Sequence, residues 1–307
     1  MIRALAAAAV LAIAAPAVAQ EAPAFTSLTQ QFDDFATETA AMPMPERVKR
    51  FRERFNALLP GFYAPRNGAT EEQYNIKVGR NLATYPAQRD KFLAAARDFS
   101  AAYVHGNAHF RRYFPDYAPV MPIYLVHSLG EMDGGTRDID GKTVAVFGAD
   151  VIAKIHDSTT IGPFLDHELF HFHHARYFSD CEAMWCALWQ EGLATYVAGR
   201  MNSTEDDKTL MLTIPRPIRP EVEPKLAEAM CYARPRLDSV DPEVYASFFY
   251  GNGKSPYPPR FGYYLGYLIA RKIGDGRPLD ELAKMPGDQV KPLIEKALAD
   301  YHCPPAA

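Results

Sequence analysis

The chain has 307 residues, of which 48% are hydrophobic and 23% charged, the composition of a globular protein with a sizeable core. Its 37 acidic and 33 basic residues leave a formal net charge of -4. No basic stripe or run of like charges marks it as a nucleic-acid binder or a polybasic membrane anchor.

The first nineteen residues, MIRALAAAAVLAIAAPAVA, read as a signal peptide: a charged start, an apolar run and small residues at the cut. Cleavage is expected after Ala19, leaving Gln20 first and, with Arg3 removed, a mature charge of -5. No Cys follows the cut, which argues against a lipoprotein, and no later segment is long and apolar enough to span a bilayer. The expected location is periplasmic or secreted. In such an oxidising compartment Cys181, Cys186, Cys231 and Cys303 are expected in disulfides, with three pairings open. Their spacing does not supply the two close CxxC pairs of a cysteine zinc site.

In chain order, residues 20–118 are expected to form a helical N-terminal region. FTSLTQQFDDFATETA, PERVKRFRERFNALL and PAQRDKFLAAARDFSAAYVHGNAHFRRYF repeat apolar residues at helical spacing, with Pro60, Gly61, Pro65 and Gly68 as punctuation. A second region, 119–307, opens with VMPIYLVHS, which reads as a strand. LGEMDGGTRDIDG reads as a polar loop whose acids lack calcium-loop spacing, and KTVAVFGADVI as another strand. Helices are then expected from Gly162-Pro163, over about 184–200, around 222–235 and 241–249, over FGYYLGYLIARKI, and over 287–301. No repeat at a fixed period is present. The expected fold is α+β and mainly α-helical, with a small antiparallel sheet beside the helix that starts at Gly162-Pro163.

That helix carries HELFHFHHARYF, with four histidines in eight residues. His167, Glu168 and His171 form H-E-x-x-H, which puts two imidazoles one turn apart on one helix face and a carboxylate beside the first. Catalytic zinc takes three protein ligands and leaves a position open. The third histidine of the metzincin pattern is excluded, because that position holds Tyr177 and the preceding glycine position holds His174. A glutamate on the next helix is available in LWQEGLATY: Glu191, nineteen intervening residues after His171, followed by Gly192, which permits close helix packing. On helical geometry His173 and His174 point away from His171 and read as supporting or surface residues, and Thr195 reads as a hydrogen-bond partner of a ligand or a packing residue.

HELFH followed by WQEGLATY resembles the gluzincins, zinc peptidases with two His ligands and one Glu. The gap is that of thermolysin-like enzymes, while the words around Glu191 are closer to the aminopeptidase N and leukotriene hydrolase branch. That branch has a Y-x-x-G element whose Tyr stabilises the oxyanion, matched here by Tyr263 and Gly266 in GYYLGYLIAR, with Tyr264 and Tyr267 as alternatives. The overall pattern also resembles a family of predicted zinc-dependent proteases of undefined substrate, over roughly residues 120–300. The resemblance implies a gluzincin-like core, Zn²⁺ held by His167, His171 and Glu191, Glu168 as general base and Tyr263 as phenol donor. The implied partner is a peptide or protein substrate. The chain departs from the aminopeptidases in lacking the G-x-M-E-N glutamate that holds a free amine; Asp150 is the nearest substitute. Alternatives are a gluzincin-fold zinc-binding scaffold with little turnover, or a zinc hydrolase acting on a non-peptide substrate.

Overall fold

The computed structural model describes residues 25–119, 121–178 and 181–303, so the expected signal peptide lies outside the described residues. The fold is α+β and mainly helical, with one small four-stranded sheet. Strand β1 (Phe25–Ser27) leads into helices α1 (Thr29–Glu38), α2 (Met44–Leu58) and α3 (Glu71–Tyr113). Strands β2 (Ile123–Val126), β3 (Thr136–Ile139) and β4 (Lys142–Gly148) follow. Helices α4 (Ala149–Ile155), α5 (Ile161–His174) and α6 (Met184–Met201) come next. The chain ends in α7 (Arg219–Val222), α8 (Leu226–Ala233), α9 (Pro242–Phe249), α10 (Phe261–Ile273), α11 (Leu279–Ala283) and α12 (Gly287–Ala299).

The sheet order is β1-β2-β4-β3. Both β1–β2 and β2–β4 are parallel, and only β3–β4 is antiparallel. The sheet is therefore mixed, and the expected antiparallel sheet is corrected. The reason lies in LGEMDGGTRDIDG, which is not wholly a loop: Thr136–Ile139 is a strand that returns the chain, so β4 can run alongside β2 in the same direction. Asp140 (φ 49°) and Gly141 (φ 73°) form the two-residue turn that β3 and β4 need. The consecutive left-handed residues are the hairpin geometry that Asp-Gly favours.

Two other boundaries differ from the sequence reading. The segment Phe25–Ser27, expected to be helical, pairs with β2 instead, in the register Phe25↔Ile123. The strand in KTVAVFGADVI stops at Gly148 and α4 takes over. A Cβ at Gly148 would lie 2.0 Å from the Met132 carbonyl oxygen, so the chain turns where only glycine fits.

Helix α3 is continuous through Pro86. It opens on a capping box: Thr70 Oγ1 accepts from the Gln73 N–H, and Gln73 Oε1 accepts from the Thr70 N–H at 2.8 Å. Glu71 and Glu72 sit in its first turn, and Arg111 and Arg112 in its last, matching the helix dipole at both ends. This helix packs on α4 and α5, behind the H-E-x-x-H segment. One contiguous hydrophobic core runs from Leu28 to Leu298 and includes residues of both sequence regions.

The cysteines form two disulfides, Cys181–Cys186 and Cys231–Cys303, as an oxidising, extracytoplasmic compartment favours. The first braces the entry to α6, and the second ties α8 to the C-terminal segment. Among the described residues no helix is long and apolar enough to cross a membrane.

Candidate metal centre and cleft

Helix α5 is buried on both sides of its chemistry: Phe164, Leu165, Leu169 and Phe170 anchor it in the core. That anchoring directs His167, Glu168 and His171 to the opposite side, where they line a cleft of about 1010 Å³. Helix α6 packs beside α5 and brings Glu191 to the same wall.

His167 Nε2 lies 3.0 Å from His171 Nε2, and each is 3.4 Å from Glu191 Oε2. A tetrahedral ion bonded at about 2.0–2.1 Å separates its ligand atoms by roughly 3.3–3.4 Å. The two imidazole nitrogens and one carboxylate oxygen thus form a group that could hold a metal ion, with the imidazole nitrogens somewhat closer together than that spacing. Without a cation the three groups must share protons. Burial pulls His171 down, but the Glu191 carboxylate overrides it and pushes His171 up to about 9. Burial alone would raise Glu191; the two imidazoles, His171 foremost, hold it well below the usual carboxylate range. Burial lowers His167, and its Nδ1 has no hydrogen-bond partner among the described residues.

Glu168 is not part of this triangle. Desolvation in the cleft pushes it up to about 7. A carboxylate so placed titrates near neutrality, the condition of an effective general base.

The three tyrosines of α10 separate cleanly. Tyr263 lines the cleft, its ring 6.5 Å from the His167 ring. Burial, with Glu191 adding to it, raises its phenol well above the ordinary value, so it stays a donor at neutral pH. Tyr264 is buried on another side, under the Arg219 guanidinium and 3.4 Å from Glu223 Oε1. Tyr267 is buried beside Tyr196 and Arg271.

The glycines explain how α6 and α10 come together. A Cβ on Gly192 would lie 2.1 Å from the Gly266 carbonyl carbon, and one on Gly266 would lie 2.4 Å from the Leu188 carbonyl oxygen. The two helices cross backbone to backbone, each with a glycine at the contact. Gly192 adjoins Glu191, and Gly266 lies one turn after Tyr263, so the crossing fixes both side chains in one cleft.

The remaining sequence candidates fall outside the triangle. His173 is fully buried, its ring 4.8 Å from that of Phe114, and His174 stacks on Phe170; neither is a surface residue. Thr195 donates to the Glu191 backbone carbonyl at 2.8 Å, not to its carboxylate. Asp150 does not face the cleft, because its carboxylate accepts from the Ser128 N–H and Oγ–H and the Gly130 N–H. A second group, Asp116, His173 and Asp280, has metal-ligand spacing, but the Lys284 ammonium lies 3.1 Å from Asp116 and 2.8 Å from Asp280 and already supplies the cation.

Two features of the cleft are absent from the sequence reading. One is the Gly134–Thr136 stretch that leads into edge strand β3. Its Asp-Gly turn was the available signal. The other is Arg260, which precedes α10, lines the cleft and has a left-handed backbone at φ 64°. No local motif marks it.

Comparison with protein-family models, with curated proteins and with solved structures finds no match to this chain.

Proposed function

We propose that the protein is an exported zinc-dependent metallopeptidase of gluzincin type. The observation that supports this reading best is the convergence of His167, His171 and Glu191 to within 3.4 Å of one another, with Glu168 and Tyr263 in the same cleft. His167, His171 and Glu191 would hold the ion. Zinc so held supplies Lewis acidity, polarising a carbonyl and lowering the pKa of water to about 7.

Glu168 takes the proton of the attacking water and passes it to the leaving amine. Its raised pKa serves both transfers, since neither protonation state lies far from neutrality. The Tyr263 hydroxyl donates to the oxyanion that develops on the attacked carbonyl. Edge strand β3, leading from the cleft, has an edge without a strand partner among the described residues that suits an extended peptide backbone. The expected signal peptide and the two disulfides support a periplasmic or secreted location for this activity.

Elemental mass spectrometry of the purified mature protein tests the centre. The expected result is about one zinc per wild-type chain, as a three-ligand catalytic site takes, with strong loss in Glu191→Ala. A wild type that stays metal-free after zinc is added sinks the reading. Equal retention by Glu191→Ala moves the third ligand elsewhere and removes the gluzincin assignment.

A further inference from the structure

We propose that Arg260 reads a carboxylate on the substrate, an inference that rests on the peptidase reading above. Arg260 lines the cleft, and its guanidinium carbon sits 4.3 Å from the centre of the Tyr263 ring. Glu168 is near enough to feel its charge, but among the described residues Arg260 makes no ion pair or side-chain hydrogen bond, and its buried Nε has no hydrogen-bond partner. The other cleft arginine is engaged: Arg176 Nη1 donates to the Asp116 carbonyl at 2.8 Å, and its guanidinium lies over Tyr177. A partly desolvated guanidinium without a hydrogen-bonded anion is costly to keep, and it is the group best suited to bidentate pairing with an incoming carboxylate.

The backbone supports the same conclusion. Arg260 has φ 64° and ψ 14°, a left-handed conformation that favours glycine and is unfavourable for an arginine. Pro258 and Pro259 lead into it, and the Arg260 carbonyl accepts from the Tyr263 N–H at 3.0 Å. The conformation aims the side chain back over Tyr263 and into the cleft.

The site also fixes where the carboxylate falls. The Tyr263 ring is 6.5 Å from the His167 ring, with the guanidinium on Tyr263. An extended chain advances about 3.3–3.6 Å per residue. The carboxylate therefore lies within about three residues of the bond cut. A free C-terminal α-carboxylate and an Asp or Glu side chain present the same chemistry, and the experiment separates them.

Calorimetry on the full chain carrying Glu168→Gln, which prevents turnover, would use three probes: N-acetyl-Phe-Ala-Ala as free acid, its C-terminal amide, and N-acetyl-Phe-Glu-Ala amide. The expected result is that the free acid binds on the order of ten- to a hundredfold more tightly than the Ala amide, the range of one charge-assisted pair. Adding Arg260→Gln removes that preference and leaves the Ala amide unchanged, while Arg260→Lys keeps part of it. A gain shown only by the Glu-bearing amide, and lost with Arg260→Gln, supports carboxylate recognition and assigns it to a side chain. Equal binding of all three probes overturns the proposal, as does a preference that survives Arg260→Gln. An equal loss for acid and amide in Arg260→Gln also overturns it. The wild-type Arg260 comparison needs no further variant, so a folding defect cannot mimic the result. The readout is binding, so absence of peptidase activity would count against the functional reading alone.

Discussion

Glu168 and Glu191 lie in one cleft, yet their surroundings drive them apart: desolvation dominates at Glu168 and lifts it, while two imidazoles hold Glu191 ionised. On the proposed function, this divergence separates Glu168 as proton carrier from Glu191 as ligand. Glu168→Gln is therefore expected to keep zinc and fold while kcat falls by about 10²–10⁴; unchanged turnover at full zinc occupancy would remove it from the chemistry. The α10 tyrosines permit a sharper comparison. Tyr263→Phe is expected to lower kcat by about 10²–10³, with little change in KM, as loss of one oxyanion donor does. Tyr264→Phe and Tyr267→Phe should leave kcat near wild type, since both rings face other parts of the core. A larger loss in either of those two than in Tyr263→Phe would reassign the donor. The grouping of His167, Glu168 and His171 was legible in the sequence because helical periodicity puts them one turn apart, and Glu191 was reached through its spacing on the next helix and the gluzincin resemblance. Arg260 was not, because nothing in a linear chain announces a left-handed backbone or an unpaired charge.

At the scale of elements, the site depends on the crossing of α6 and α10. With main chain against main chain at Gly192 and Gly266, a methyl group at either has no flexible side chain to displace. Gly192→Ala and Gly266→Ala should each destabilise by about 1–3 kcal/mol or more. They should also lower zinc occupancy and turnover together, because parting the helices moves Glu191 and Tyr263. Denaturant titration with metal analysis checks this; a variant with wild-type midpoint and activity would refute the account of the crossing. Gly262→Ala meets the Phe249 and Phe248 side chains first, at 3.0 and 3.1 Å, and should cost less. The sequence indicated these helices through their apolar spacing and marked Gly192 as a packing residue. It did not reveal the partner of that glycine, since close approach is a tertiary relation. The sheet was misread for a related reason: TRDI has only one buried side chain, Ile139, so its pairing with β4 outweighs a composition that favours loop.

At the scale of the whole molecule, the N-terminal helices and the sheet meet around a buried histidine. The His127 ring stacks on Phe32 with centroids 3.9 Å apart, Tyr63 donates to the His127 carbonyl, and Nδ1 accepts from the Leu129 N–H at 3.2 Å. Asp150 and Lys154 on α4 are the charged groups that face it, with Asp150 Oδ2 3.6 Å from Nδ1. Burial outweighs Asp150 and lowers His127 to about 4. The folded ring is neutral where the unfolded one, with an ordinary pKa of about 6.5, takes up a proton. The unfolded state thus binds more protons below pH of about 6.5, so stability is greatest above that value and falls as pH drops toward 4. For a residue 2% exposed the loss is on the order of 3 kcal/mol by pH 4. Asp33 acts lower in the scale: the Arg89 guanidinium, with the Tyr85 hydroxyl, holds it below its usual range, so its contribution is present above about pH 4 and is lost as pH falls through its folded pKa. The expected unfolding curve therefore weakens first between about pH 6.5 and 4, from His127 together with His156, His173 and His174, which burial lowers in the same way, and again in stronger acid, from Asp33. His127→Gln keeps a polar side chain without the titration and should make the first limb shallower by the His127 share, leaving the Asp33 limb unchanged. Melting temperatures of both proteins from pH 8 to 3 decide the point: parallel curves would mean that the junction between the N-terminal helices and the sheet is not what acid attacks first.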